Sequence, residues 1–304
     1  MRTYQHSGAV PFSGALMTAA AGCLAALFLA IAYAFSFQYI PFVYLNLLLT
    51  LAFGGGIGWT VGFTAREGKI RNVTIVGALA VVAALIGAYV QWGATVYACC
   101  PPDELAQLWA AAGLAPLLPQ NILAIMQELY AEGSWGLTSG SPVRGWPLAI
   151  VWACEAGVIL YAACNAATQQ IANQPYCEQC QEWVAAREPH LYLGDEYEAV
   201  WSEVKHGAFE NLALTSRASG DEPSYMRLTL HVCAKCQDSN YLTIAACKNT
   251  TDSKGNAKFE EKNLFTNLAI QHIQTELIQA AHTVAPVPGA MPDLCQSAAT
   301  QLAT

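Results

Sequence analysis

The sequence predicts an α-helical membrane protein of about four transmembrane helices, followed by a water-facing α+β domain at the C-terminal end. Only 12% of the 304 residues are charged and 54% are hydrophobic, far from the roughly 25% charged share of an ordinary soluble domain. Charge is nearly absent from the first third and gathers beyond Gln169, so two solvent regimes share one chain. Four apolar stretches also reach the roughly 20 residues that cross a hydrocarbon layer of about 30 Å.

Those stretches cover about 13–35, 42–64, 73–93 and 147–168. The first exceeds the roughly 7–15 apolar residues of a secretory signal and is expected to be a retained helix. Ser36-Phe37-Gln38-Tyr39-Ile40-Pro41 is too short a link for anything but an antiparallel hairpin between the first two helices. Arg2 and the Arg66, Lys69 and Arg71 loop carry the cations, whereas the 94–146 segment holds Asp103, Glu104, Glu128 and Glu132 against Arg144. The positive-inside rule then places the N-terminus and the C-terminal domain in the cytoplasm and 94–146 outside, in a bacterial inner membrane or its equivalent. The expected organisation is a transmembrane domain over 1–168, a cytoplasmic domain over 169–285 and a disordered tail over 286–304.

Inside the spans, Gly54, Gly58 and Gly62 recur every fourth residue and clear one helix face for close approach by a neighbouring helix, within the chain or in a homo-oligomer. Glu155 lies about half a helix deep, where a carboxylate costs about 2.5–3.5 kcal/mol on insertion scales. The spans contain no Lys, Arg or His to pair with it. It is therefore expected to be protonated and hydrogen-bonded, to Asn46 or a tyrosine, with a proton or ion path as the functional alternative. In the outer segment, Leu118, Ile122, Ile125, Met126 and Leu129 form the stripe of a helix that lies on the bilayer surface or covers the bundle.

Beyond Gln169 the pattern is mixed. Asp195 can cap a helix with Val200, Trp201, Val204, Ala208 and Leu212 on its apolar face. Met226, Leu228, Leu230 and Val232 alternate with polar residues, and so do Leu242, Ile244 and Ala246, as in two antiparallel strands. A turn at 252–256, a short third strand near 257–260 and a helix bearing Leu264, Leu268, Ile273, Leu277 and Ala281 are expected to follow, ended by Pro286 and Pro288.

The strongest chemical signal is Cys177-Glu178-Gln179-Cys180 with Cys233-Ala234-Lys235-Cys236. Two residues between thiols let one tight turn aim both sulfurs at one ion, and two such turns complete a four-thiolate tetrahedron. These pairs, with Tyr176 before the first and predicted strands around the second, resemble the zinc-ribbon class, which implies a structural zinc under a short sheet. The stretch between Cys180 and Cys233 is longer than in compact zinc motifs, so its helix reads as an insertion, and Gln181 and Gln237 stand where the class often has a knuckle glycine. Zinc is the expected ion, ahead of iron in a rubredoxin-like electron-transfer site; thiol-redox cysteines remain open. His190 and His231 are candidate outer-shell partners, and Cys247 is a core residue or alternative ligand. Cys99 and Cys100 form a candidate redox pair, whereas Cys23, Cys154 and Cys164 read as apolar packers and Cys295 as a free tail thiol.

A formal net charge of −8 with no basic cluster excludes nucleic acid as a partner. No nucleophile elbow, phosphate loop or metalloprotease histidine pair occurs, which favours a non-enzyme. The expected function is a membrane-anchored binding, regulatory or assembly module acting on an unknown protein partner. The alternatives are a small transporter or channel using Glu155 and a membrane thiol-redox or electron-transfer protein.

Overall fold

The computed structural model describes residues 2–39, 43–133, 142–194, 197–207, 209, 212, 216–236, 238–251 and 257–283. The Asp195 cap, Ala208, Gln237, the 252–256 turn, the two terminal prolines, Cys295 and the rest of the tail lie outside those residues. The chain divides into two compact units, His6–Gln174 and Met1–Gln5 with Pro175–Thr304.

The first unit is helical. Four long helices, α1 (Phe12–Tyr39), α2 (Val43–Glu67), α3 (Val73–Ala98) and α6 (Trp146–Ala172), enclose in sequence two shorter ones, α4 (Leu105–Ala112) and α5 (Pro119–Glu132), with a 3-10 turn at Ala115–Leu117. The four long helices are long and apolar enough to cross a membrane. Several extend beyond the apolar stretches because adjoining polar residues continue the helix until a local stop. At the end of α2, Gly68 N–H donates to Thr64 O, Lys69 turns left-handed at φ 55° and Ile70 N–H donates to Ala65 O. Asn72 then caps α3 by accepting the Ile75 N–H at 3.0 Å.

Alanines are prominent among the buried side chains of the helical unit, beside Ile57, Leu148 and Ile159. Ala26, Ala30, Ala80, Ala84, Ala163 and Ala167 are buried, whereas Leu24, Phe28, Leu48, Val82 and Leu85 face outward. Small residues at helix contacts and large apolar ones outside suit helices whose surroundings are as apolar as their core. In the predicted outer stripe Ile122 is buried, Ile125, Met126 and Leu129 are half-buried, and Leu118, just before α5, is exposed.

A seam of close backbone contact joins α2 to α6. A Cβ on Gly54 would lie 2.4 Å from Ile159 O, one on Gly58 2.1 Å from Ala163 O, and one on Gly62 2.7 Å from Ala167 O. Both helices advance four residues per contact in the same direction, so they run parallel. One step earlier, the same register sets Thr50 level with Glu155.

The second unit is built on an antiparallel sheet. The chain supplies β1 (Tyr176–Cys177), β2 (Glu182–Trp183), β3 (Ala185–Ala186), β4 (His190–Leu193), α7 (Tyr197–His206), β5 (Ser224–Val232), β6 (Asn240–Thr251), β7 (Ala257–Ile270) and α8 (His272–Thr283). The main sheet has the order β3-β5-β6-β7, with β4 also on β5, and β1 and β2 form a separate ribbon. The N-terminal residues join this unit on the outer side of β7: Thr3 bridges Leu268, and Tyr4 N–H donates to Asn267 O. Alternation along β5 sends Met226, Leu228, Leu230 and Val232 into a core shared with Leu242, Ile244, Val200, Val204, Phe209 and Ile278. Leu228→Ala is expected to lower the stability of this unit by about 2–5 kcal/mol, read by chemical denaturation, because the site is fully enclosed.

One expectation is corrected here. The short strand near 257–260 continues to Ile270, and the helix begins only at His272. Leu264 and Leu268 therefore belong to β7, not to a helix face. Their four-residue spacing satisfies a two-residue strand period as well as a helical turn, and the ladder with β6 from Thr251↔Ala257 to Asn240↔Ile270 decides for the strand.

The approach to β5 is held by Glu222. Its carboxylate accepts the Ser219 N–H and the Gly220 N–H, each at 2.8 Å, together with the Ser219 hydroxyl. These donors, Ser219 N–H first, hold its pKa down to about 2. A depressed folded-state value adds stability above the ordinary glutamate pKa of about 4.3 and loses it as pH falls from there through about 2. Glu222→Gln should flatten that part of an acid-unfolding curve.

Candidate metal centre

Two turns converge at one end of the sheet. In the first, Tyr176↔Trp183 and Cys177↔Glu182 pair β1 with β2, and Cys180 lies in the turn between them. The ribbon is pinned by Val184 N–H to Pro175 O at 2.9 Å and by the edge-on rings of Tyr176 and Trp183. In the second, Cys233 follows the last residue of β5 and Cys236 sits in the turn before β6. The turns meet because β3 leads directly from the ribbon and pairs with the end of β5, Ala185 opposite Val232.

Each of Cys177, Cys180, Cys233 and Cys236 offers a sulfur within 4.8 Å of the other three. Cys177 Sγ and Cys236 Sγ are 3.6 Å apart. Four thiolates at about 2.3 Å from one zinc would be about 3.8 Å from one another, whereas a disulfide needs about 2.05 Å. The sulfurs thus have the spread of a tetrahedral metal site. Cys177 and Cys233 are buried beside Val184, with Cys180, Cys236 and Tyr241 closing the pocket.

Polar donors surround the sulfurs. Cys180 N–H reaches Cys177 Sγ at 3.4 Å, and the Ser239 hydroxyl donates to the same sulfur at 3.2 Å. The Asp238 N–H holds the Cys236 thiol down to about 6, while desolvation, then hydrogen bonding from the other three thiols, pushes Cys180 up to about 12. The group is therefore ready to supply its first thiolate at neutral pH, and a cation would supply the charge that draws off the remaining protons. Lys235 of the second turn pairs with Glu182, the first residue of β2 beside the first turn. Both are exposed, so this link guides the turns together more than it stabilises them. Sequence reasoning missed Ser239 and the Lys235–Glu182 pair; the signal was a serine three residues past Cys236, with a lysine inside the second cysteine pair and a glutamate two residues after the first.

Gln181 occupies the residue after the first pair with φ 55°, in the left-handed region that glycine adopts freely. The backbone thus makes the turn for which the zinc-ribbon class often uses glycine and bears the strain of a side chain there. Gln181→Gly is expected to leave the site intact and to raise its stability by up to about 1 kcal/mol, measured as Tm of the metal-loaded protein.

The other candidates are dispersed. Cys247 packs with Tyr225 and Ala245, in a cluster separate from the four sulfurs. His231 Nε2 meets Thr243 Oγ1 at 3.2 Å, and His190 is buried in β4 opposite Leu228. Cys99 is exposed at the end of α3, and Cys100 beside it is raised in pKa by desolvation and by Glu104 and Asp103. That environment disfavours the thiolate a redox nucleophile needs. In the helical unit, Glu155 Oε1 touches Tyr33 Oη, which also meets Thr50 Oγ1.

The centre's chemistry follows from its donor set. Four protein thiolates fill a tetrahedral ion and leave no position for water or substrate, which suits a structural ion or one that exchanges only electrons. No protein-family model, curated protein or solved structure matches the chain, so the reading of this four-cysteine centre stands on its geometry alone.

Proposed function

We propose that this chain is an integral membrane protein whose four long helices hold a metal-stabilised domain at the bilayer, where that domain engages a protein partner. The observation that carries the reading is the convergence of four thiols: an ion held by all four would cross-link two turns of the sheet unit and keep no coordination site for chemistry on a substrate. Zinc is the ion we assign, ahead of iron, with the domain and N-terminus on the cytoplasmic side, where a reducing medium keeps thiols available as ligands.

The engaged surface is assigned to the far part of the β6–β7 hairpin. Every residue from Ala257 to Asn263 in β7 is exposed, including Phe259 at 52%, and Lys258, Glu260, Glu261 and Lys262 line the strand. An edge strand with an exposed aromatic residue and both signs of charge suits recognition by strand addition, with the charges limiting indiscriminate pairing.

The test is a photo-crosslinking residue at Phe259 in the full-length protein in its native membrane, with Lys205 on α7 as the comparison position. A discrete adduct at 259, lost in a Lys258→Glu/Lys262→Glu variant and absent at 205, is the expected result. No adduct at 259, together with a solute flux in proteoliposomes that Glu155→Gln abolishes, would replace this reading with a transporter.

A further inference from the structure

We propose that Glu155 is a proton-binding site whose occupancy is relayed from α6 through α1 to the backbone of α2. Three contacts carry the inference. Glu155 Oε1 lies 2.5 Å from Tyr33 Oη, Tyr33 Oη lies 3.1 Å from Thr50 Oγ1, and Thr50 Oγ1 lies 2.9 Å from Asn46 O. Each contact needs one proton, and a backbone carbonyl has none to give.

Counting from the carbonyl end fixes the direction. The proton on the last contact must be that of Thr50. The Tyr33–Thr50 contact must then use the Tyr33 proton, and the Tyr33–Glu155 contact can be a hydrogen bond only if the carboxyl supplies its own. All three bonds exist together when Glu155 is neutral and donates to Tyr33, Tyr33 donates to Thr50, and Thr50 donates to Asn46 O. With an ionised carboxylate, Tyr33 must turn its proton to Glu155, and Thr50 then loses either its donor or its bond to α2.

The surroundings keep this a one-proton site. Tyr33 is the titratable partner from α1, and its ring stacks on Phe53 of α2 at 4.9 Å. From α2 the facing groups are the Thr50 hydroxyl and the Asn46 carbonyl, and α3 contains no Asp, Glu, Lys, Arg or His. Helix α5, which also packs on α6, holds Glu128, Tyr130 and Glu132, and among the described residues of these helices the one cation is Arg66 at the far end of α2. Gain or loss of this proton therefore changes bonding in three helices at once, in the register that continues the glycine seam.

The test is infrared spectroscopy of the full-length protein in membranes at neutral pH. A carbonyl band of a protonated carboxyl is expected, absent in Glu155→Gln and moved to higher frequency in Tyr33→Phe, which removes the acceptor. Thr50→Val keeps the shape of residue 50, deletes the next acceptor and should shift the same band by a smaller amount. A second readout is covalent tagging by an apolar carbodiimide, which requires a protonated carboxyl: mass spectrometry should find the tag on Glu155 at neutral pH and lose it as pH rises. Carboxylate bands alone at neutral pH, with no tagging, would overturn the proposal, as would a protonated band indifferent to both the Tyr33 and Thr50 substitutions.

Discussion

Serine at both Cys177 and Cys233 is expected to abolish metal binding at the four-cysteine centre and to unfold the ribbon and sheet end of the second unit. The double change removes one thiolate from each turn, so neither turn can hold the ion without the other. Structural zinc sites in zinc-finger peptides contribute about 10–16 kcal/mol of apparent binding free energy, as much as the whole net stability of about 5–15 kcal/mol of an ordinary domain. The present unit has a sheet core of its own, centred on Leu228, Leu230, Leu242 and Ile244, so β5 and β6 should outlast the ribbon. Hydrogen exchange on the full-length protein should show 175–186 losing protection first, and metal analysis should fall from one ion per chain to none. Ser239→Ala, which removes a single donor to Cys177, should cost only about 0.5–1.5 kcal/mol and leave the ion bound. Unchanged protection and metal content in the double variant would show that the four sulfurs are a packing cluster.

The same residues explain how far the sequence could be read. The two cysteine pairs were visible because a ligand turn is local: the spacing within each pair is set by the turn that presents it. That the pairs converge depends on β3 crossing from the ribbon to the end of β5, a two-residue strand of Ala185 and Ala186 with no hydrophobic signature. Strand β4 escaped for a related reason, since its four residues alternate too briefly to be told from loop. The strand-to-helix change at Gln271 was misplaced because Leu264 and Leu268 fit both periods, and only the partner strand decides between them. In the helices, length and apolarity are properties of the segment itself and can be read directly. Which tyrosine meets Glu155 is not, because Tyr33 lies 122 positions away and reaches it with its hydroxyl from another helix.

Gly58→Leu is expected to be the most damaging single change in the helical unit. The Cβ alone would sit 2.1 Å from Ala163 O and 2.7 Å from Ala163 C and Cα, all of them backbone atoms of a packed helix. A flexible side chain could yield, but α6 can respond only by moving as a body, which would also part Thr50 from the level of Glu155. Overpacking a well-filled core ordinarily costs about 1–3 kcal/mol, and contact with main chain puts this case at or above the top of that range. Gly58→Ala should already lower the thermal midpoint in detergent, and Gly54→Ala, at 2.4 Å from Ile159 O, should follow it closely. Gly55 is the internal comparison: it shares the helix and the neighbourhood, yet a Cβ there would meet nothing within 4 Å, so Gly55→Ala should be neutral or mildly stabilising. A stable Gly58→Leu protein with altered oligomeric state would place the glycine face between copies of the chain. An unfolded or separated bundle, with Gly55→Ala intact, is the outcome required if α6 fills that face.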